Sequence, residues 1–114
     1  MKAKTWGIRS KVWLEIEGKT IMGEGRKEIL EAIAQYGSML DASRATGISY
    51  RRIRGAIKEM EHAVGRVLVD SRRGGKNGGS AALTPDAIEL IRRFDQISDG
   101  LQQDMDAKFN TIFK

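Results

Sequence analysis

The chain has 114 residues, a formal net charge of +5, an isoelectric point near 9.7, no cysteine and one histidine. This length predicts one small domain with little room for an enclosed catalytic cleft. The composition excludes disulfides, thiolate zinc sites and histidine metal clusters. No signal peptide and no run of about 20 apolar residues is present. We therefore expect a cytoplasmic protein that is not an enzyme and has no membrane segment, metal or cofactor.

The charges are unevenly distributed along the chain. Residues 49–76 contain eight positive and three negative side chains, whereas residues 86–107 contain two positive and six negative side chains. The net charges of these segments are thus +5 and −4. This separation predicts a body that binds a polyanion, followed by a tail that does not touch it. Chance segregation in a short chain is the alternative.

Two short strands and a helix are predicted first. In segment 12–17, the apolar residues Val12, Leu14 and Ile16 share one face, which is the period of a half-buried strand. A return strand at 20–22 follows a glycine-containing turn. A helix then runs from about 24 to 36, and Gly37 ends it. Its predicted apolar stripe comprises Ile29, Leu30, Ile33 and Ala34.

Two capped helices follow in close succession. Ser38 is expected to cap a helix over 39–46, with Asp41 as its partner in a capping box. Gly47 closes that helix, and Ser49 caps the next one, at about 50–63. Two helices separated by so short a break have the spacing of a helix-turn-helix.

A hairpin and a long helix complete the chain. Residues 66–72 and 81–84 flank a glycine-rich loop, which predicts a hairpin with a long tip. Thr84 caps a last helix that continues to about Phe113. The predicted fold is mainly α with a small β-sheet, a winged helix-turn-helix with a long C-terminal dimerisation helix. We expect residues 1–84 to form the DNA-binding domain and residues 85–114 to form the dimerisation helix.

The third helix has two faces of opposite character. Its apolar positions, which we expect to be buried, are Ile53, Ala56, Ile57, Met60 and Val64. The other side is cationic, as in a recognition helix, and a solvated face without a ligand is the alternative. The residues predicted to contact DNA here are Ser49, Tyr50, Arg51, Arg52, Arg54 and Lys58. Arginine bonds guanine or clamps phosphate, and both roles stay open for each arginine.

Two glycine-containing features support this interpretation. Gly55 lies within the cationic side, where it costs about 1 kcal/mol relative to alanine. That cost is easier to understand if a ligand must approach the backbone closely. The hairpin tip over 71–80 lacks the P-loop pattern, and its donors fit a wing that contacts the DNA backbone or minor groove. These donors are Arg72, Arg73, Lys76 and Asn77.

The last helix carries a heptad-like apolar seam, which is imperfect at Ser98 and Lys108. A small domain cannot cover a helix of roughly 40 Å, so a second copy is expected to cover the surplus. A two-fold dimer would then bind a roughly palindromic site. The residues assigned to this contact are Leu90, Ile91, Phe94, Ile97, Leu101 and Met105. The alternative is that the helix ends near Gly100 and the rest frays.

Two stretches carry a family resemblance. "GSMLDASRATGISYRRIRGAIKEME" and "VLVDSRRGGKNGGSAALTPDAIELI" resemble the N-terminal DNA-binding domain of ModE-type, molybdate-responsive regulators. The stretches are also similar, more distantly, to LysR-type regulators. The resemblance covers about residues 10–100 and implies a dimeric winged helix. ModE-type proteins also carry C-terminal oxyanion-binding domains, and these 114 residues contain no counterpart. Binding of molybdate or tungstate is therefore not supported by the sequence.

The sequence thus predicts a transcriptional regulator that binds double-stranded DNA sequence-specifically as a homodimer. The alternative is a winged-helix adaptor that binds another protein. Salt separates the two, because DNA binding weakens steeply as the salt concentration rises and an apolar protein interface does not.

Overall fold

The computed structural model describes residues 4–73 and 79–113. In chain order, its elements are β1 (Leu14–Ile16), β2 (Lys19–Met22), α1 (Glu24–Tyr36), α2 (Met39–Thr46), α3 (Tyr50–Val64), β3 (Val69–Arg73), β4 (Gly79–Leu83) and α4 (Pro85–Ile112). Strands β1 and β2 pair antiparallel, as do β3 and β4. This is the element order that the sequence predicts.

As expected, a side-chain hydroxyl caps the N-terminus of each of three helices. The Asp41 N–H donates to the Ser38 hydroxyl at 3.0 Å, and the Arg52 N–H donates to the Ser49 hydroxyl at 3.1 Å. The hydroxyl of Thr84 caps α4 in the same way. The carboxylate of Asp41 lies 3.8 Å from the guanidinium of Arg44 rather than reaching back as the predicted capping box requires. Helices α1, α2 and α3 each end at a left-handed glycine, namely Gly37, Gly47 and Gly65.

One core joins β2, α1, α2, α3, the base of the hairpin and the first half of α4. The largest fully buried side chains are Met22, Leu30, Ile33, Ile53, Met60, Leu68 and Phe94. The prediction for Ala34 is wrong, because Ala34 lines an open groove between α1 and α4 while Ala32 is buried. Ile16 is also exposed, whereas Val12 and Leu14 pack against the core.

The first half of α4 is part of this core, and the second half extends beyond it. Ala87 and Phe94 are buried, and the Lys27 ammonium lies 2.6 Å from the Asp95 carboxylate. That hydrogen bond raises the pKa of Lys27 above its ordinary value. Phe94 is therefore a core residue of its own chain and is unavailable to the predicted dimer seam. None of the helices that the structure describes combines the length and apolar character needed to cross a bilayer.

Helix α4 continues well past Gly100, near which the alternative interpretation expected it to end. It runs to Ile112 without a break at Gly100, so the shorter helix is contradicted. Near its end, the rings of Phe109 and Phe113 stack with centroids 4.9 Å apart, and Trp6 lies 5.5 Å from Phe113. The N-terminal segment thus contacts the far end of α4. Upstream, Ile97 and Leu101 are 51% and 43% exposed.

Candidate nucleic-acid interface

Helix α3 buries its apolar side and turns its cationic side to the solvent. Burial of Ile53, Ile57 and Met60 fixes the rotation of the helix about its axis. All six residues of this helix and its N-cap that the sequence assigns to the DNA contact are exposed, including Tyr50 at 45%. The two open alternatives, base contact and phosphate contact, both require this exposure.

The positive charge of this side is not neutralised within the part of the chain that the structure describes. In residues 4–73 and 79–113, neither the three arginines of α3 nor Lys58 forms an ion pair with a carboxylate. The two glutamates of α3 are engaged elsewhere. Glu59 pairs with Arg26, and Glu61 accepts hydrogen bonds from backbone N–H groups of the hairpin. The N-terminal half of α3 therefore presents uncompensated cations to the solvent.

A first groove separates α3 from the hairpin, and we name it the wing groove. Its volume is about 410 Å³. Arg54 lines it from α3, and Arg72 and Arg73 line it from β3. The remaining lining residues are Ser38, Met39, Leu40, Tyr50, Ser71, Gly79, Ser80 and Ala81. Three arginines from two separate elements thus line one concave surface together with the N-terminus of α2, an arrangement suited to an anionic polymer.

A second groove lies on the other side of α3, between it and α1, and we name it the α1–α3 groove. Its volume is about 550 Å³, and Arg51, Arg52 and Gly55 line it from α3. From α1 it receives Gly25, Arg26 and Ile29. The helical period of the sequence indicates only that the three arginines of α3 lie outside its buried stripe. The structure divides them between two grooves that flank the exposed ridge of α3.

The hairpin carries its arginines on an antiparallel pair of strands. Arg72 pairs with Ser80 and Arg73 pairs with Gly79. The side chain of Arg72 is 79% exposed, with the Asp70 carboxylate 3.9 Å from its guanidinium. A Cβ on Gly79 would lie 2.9 Å from the Arg72 carbonyl oxygen, so this register requires glycine. The predicted contacts of Lys76 and Asn77 lie outside the described residues.

Arg26 of α1, which the sequence did not single out, contacts both β2 and α3. Its guanidinium donates to the carbonyl oxygens of Thr20 at 3.3 Å and Ile21 at 3.1 Å, and it also pairs with Glu59. Glu59 is 33 positions away in the chain, so no local pattern could have revealed the contact. Arg26 therefore ties β2 and α1 to the outer half of α3, on the rim of the α1–α3 groove.

Gly55 gives a prediction in which stability and binding change in opposite directions. A Cβ at this position meets nothing within 4 Å, so no contact among residues 4–73 and 79–113 requires glycine. Gly55→Ala should raise the free energy of unfolding by about 1 kcal/mol, measured by urea denaturation. The same change should weaken DNA binding, because a methyl group then stands between the backbone and the duplex.

Gly100→Ala is the matched control for Gly55→Ala. Gly100 is also an open helical glycine, and it lies on α4, which lines neither groove of the candidate interface. It should give a similar gain in stability without a change in DNA affinity. A Gly55→Ala protein that binds DNA as tightly as the wild type would show that no ligand approaches this backbone closely.

The residues that line the two grooves carry groups that can bind a polyanion. Within the part of the chain that the structure describes, no three histidine, aspartate or glutamate side chains are grouped as metal ligands. The residues that line the two grooves carry guanidinium, hydroxyl and backbone N–H groups. These are the donors that bind phosphate oxygens and base edges.

Several known proteins are similar to this chain. It is 33% identical over 93 residues to the DNA-binding transcriptional dual regulator ModE of Escherichia coli K12, which covers 82% of this chain and 36% of that protein. It is 35% identical over 80 residues to the molybdenum-pterin-binding protein MopB of Rhodobacter capsulatus, covering 70% of this chain and 30% of that protein. The chain thus spans about a third of the length of these relatives, and the predicted resemblance to ModE-type N-terminal domains is confirmed.

Solved structures support the fold. The full-length LysR-type regulator LysG of Corynebacterium glutamicum with bound arginine matches with a TM-score of 0.52 at 28% identity, covering 79% of this chain and 29% of that one. A point mutant of ZitR from Lactococcus lactis matches with a TM-score of 0.54 at 16% identity, covering 87% of this chain and 66% of that one, which supports the fold alone. The predicted winged helix-turn-helix is confirmed. A model of the lysR family of bacterial regulatory helix-turn-helix proteins matches residues 26–88, more than half of the sequence, and the chain belongs to this family.

Proposed function

We propose that this protein is a sequence-specific DNA-binding transcriptional regulator that acts in the cytoplasm. One observation carries the proposal: the exposed cationic side of α3 is unpaired within the described residues and lies beside an arginine-bearing hairpin. Membership of a regulatory helix-turn-helix family supports the same conclusion. In this arrangement α3 enters the major groove, and the hairpin lies along the adjacent backbone or minor groove.

The contacts divide by position on α3. Ser49, Tyr50 and Arg51 belong to its N-terminal end, which reaches the base edges in a helix-turn-helix. Arg52 and Arg54 flank that end, one in each groove. Lys58 follows on the exposed side and contacts phosphate. The wing contributes Arg72 and Arg73, together with Lys76 and Asn77 at the tip that the sequence predicts.

We further propose that the distal half of α4 joins two copies. The apolar stripe that packs α4 onto its own core continues beyond it as Ile97, Leu101 and Met105, and no element of the described chain encloses the exposed part. Leu90 and Ile91, in the first half of α4, are half-buried against the core. Because an unburied apolar stripe favours association, a second α4 is its simplest cover. The two recognition helices then read the halves of a palindrome.

The direct test starts with genomic DNA. Fragments retained by the purified protein should share an inverted repeat, and their affinities should fall steeply as the salt concentration rises. Parallel selections with and without molybdate test for an effector, because some relatives carry molybdenum in their names. Affinity for a protein partner that is independent of salt, with no retained DNA, would favour the adaptor alternative.

The wing makes a separate prediction within this test. Arg72→Ala should weaken binding about equally on specific and random DNA and reduce the slope of log K against log[salt] by about one. Arg92→Ala, which removes the same charge from α4, should leave the slope unchanged. An unaltered slope in Arg72→Ala would show that Arg72 does not contact a phosphate.

A further inference from the structure

The carboxylate of Glu61 connects the end of α3 to the start of the hairpin. Glu61 lies in the last turn of α3, and its side chain is half-buried. Its Oε2 accepts hydrogen bonds from the backbone N–H groups of Leu68 at 2.8 Å and Val69 at 3.2 Å. Hydrogen bonds to a carboxylate are charge-assisted and directional. The contact therefore constrains the direction in which the strand leaves the helix.

The two N–H groups belong to the base of the wing. Leu68 is fully buried, and Val69 is the first residue of β3. Arg72 follows three positions later, about 10 Å along an extended strand. Arg72 and Arg73 lie on the strand that begins at this base, so a change in its direction at Leu68 and Val69 displaces both arginines.

Other hydrogen bonds hold the hairpin to different parts of the domain. The Ala81 N–H donates to the Gly37 carbonyl oxygen at 2.8 Å, which joins β4 to the end of α1. The Thr84 N–H donates to the Leu68 carbonyl oxygen at 3.0 Å, which joins the hairpin base to the start of α4. Within residues 4–73 and 79–113, the hydrogen bonds that join the hairpin directly to α3 are those of Glu61.

The charge of Glu61 is otherwise unfavourable for the function. A carboxylate on a helix that binds a polyanion lowers the electrostatic attraction between them. It also lies in the last turn of α3, where the helix dipole favours cations. Its two bonds to the wing base offset both costs.

We propose that Glu61 is a positioning residue that sets the angle between the recognition helix and the wing. With this angle fixed, Arg54 and Arg72 approach one DNA duplex from the two sides of the wing groove. The inference rests on the proposed function. It concerns a residue that does not itself touch DNA.

The first experiment uses the full chain without DNA. Amide hydrogen exchange at Leu68 and Val69, measured by NMR, should accelerate in Glu61→Ala relative to core amides of α1. Glu61→Gln should retain most of the protection, because its amide oxygen still accepts the two bonds. Glu61→Asp keeps the charge but shortens the side chain, so it should lose protection, and it replaces Glu61→Ala if the alanine variant does not fold. Unchanged exchange rates at Leu68 and Val69 in both Glu61→Ala and Glu61→Asp would show that Glu61 does not anchor the hairpin.

The second experiment measures binding to the selected site. Glu61→Ala should weaken it about tenfold, a loss typical of hydrogen bonds to a charged group, whereas Glu61→Gln should bind as tightly as the wild type or more tightly. The effects of Glu61→Ala and Arg72→Ala should be less than additive, because a misplaced wing has already lost the Arg72 contact. Arg51→Ala should be additive with Glu61→Ala.

Each failure has a separate meaning. Equal affinities of Glu61→Ala and Glu61→Gln, or additivity with Arg72→Ala, would overturn the positioning role even if the exchange result holds. A wild-type protein that binds no DNA would reject the proposed function, and the positioning role with it. The exchange measurement would still decide whether Glu61 anchors the hairpin.

Discussion

Replacing Arg51 or Arg54 with alanine is expected to weaken binding to the selected DNA site by about 1–3 kcal/mol, the usual cost of losing a bidentate base contact. Binding to random DNA should fall less, because each change removes one charge from the nonspecific attraction. Both side chains are exposed, and neither forms an ion pair within the described chain. The folded state should therefore tolerate either replacement. The measurement is a pair of titrations, on specific and random duplexes, at fixed salt.

Lysine variants separate the two roles that remain open for these arginines. Arg54→Lys keeps the charge but loses the planar fork that bonds guanine O6 and N7 together. A base contact therefore predicts that Arg54→Lys loses nearly as much specificity as Arg54→Ala. A phosphate contact predicts that Arg54→Lys retains both affinities. Arg92→Ala is the control for charge alone, since it lies on α4 and away from both grooves. Equal losses of affinity on specific and random DNA would show that the arginine contacts the DNA phosphates rather than a base.

Removing residues 101–114 is expected to give a folded monomer that binds its DNA site at least about a hundredfold more weakly, because the second half-site loses its linked partner. The first half of α4 should stay in place, since Ala87 and Phe94 are buried in the core and Asp95 pairs with Lys27. Sedimentation analysis measures the change in mass, and urea denaturation verifies that the domain remains folded.

A point substitution tests the same seam without shortening the chain. Leu101→Asp puts a charge on the exposed apolar stripe of α4, where Leu101 is 43% exposed. It should favour monomers, because a buried unpaired charge is costly. Gln103→Asp adds the same charge on the opposite side of the helix, by the helical period, and should leave the dimer intact. Dimers that persist in both the truncated protein and Leu101→Asp would locate the contact elsewhere.

The proposed DNA contact and the proposed dimer contact differ in how many residues each requires. DNA reading depends on a few side chains of one helix, whose rotation is fixed by three buried residues, Ile53, Ile57 and Met60. Dimerisation depends on a stripe that runs along α4, part of which is already used by its own core. Loss of one arginine should thus reduce specificity while binding persists, whereas loss of the dimer should weaken binding on every palindromic site.

The sequence alone determined the helices, their ends and the side of α3 that is buried. These features depend on contacts between residues close in the chain. Examples are the hydroxyl of Ser49 that accepts the Arg52 N–H, and the left-handed glycine Gly65. Helical periodicity is also local, so it correctly separated Ile53 from Arg51. A cap or a periodic stripe needs no knowledge of distant elements, and such signals can be read before the fold is known.

Only the tertiary structure decided which neighbours each face meets. It assigned Phe94 to the core of its own chain, although its spacing suits a dimer seam equally well. It directed Arg54 toward the hairpin and Arg52 toward α1, and it paired Glu61 with the base of the wing. The physical reason is that a periodic pattern fixes the angle of a side chain about its helix axis. The group that lies at that angle depends on how elements distant in sequence pack together.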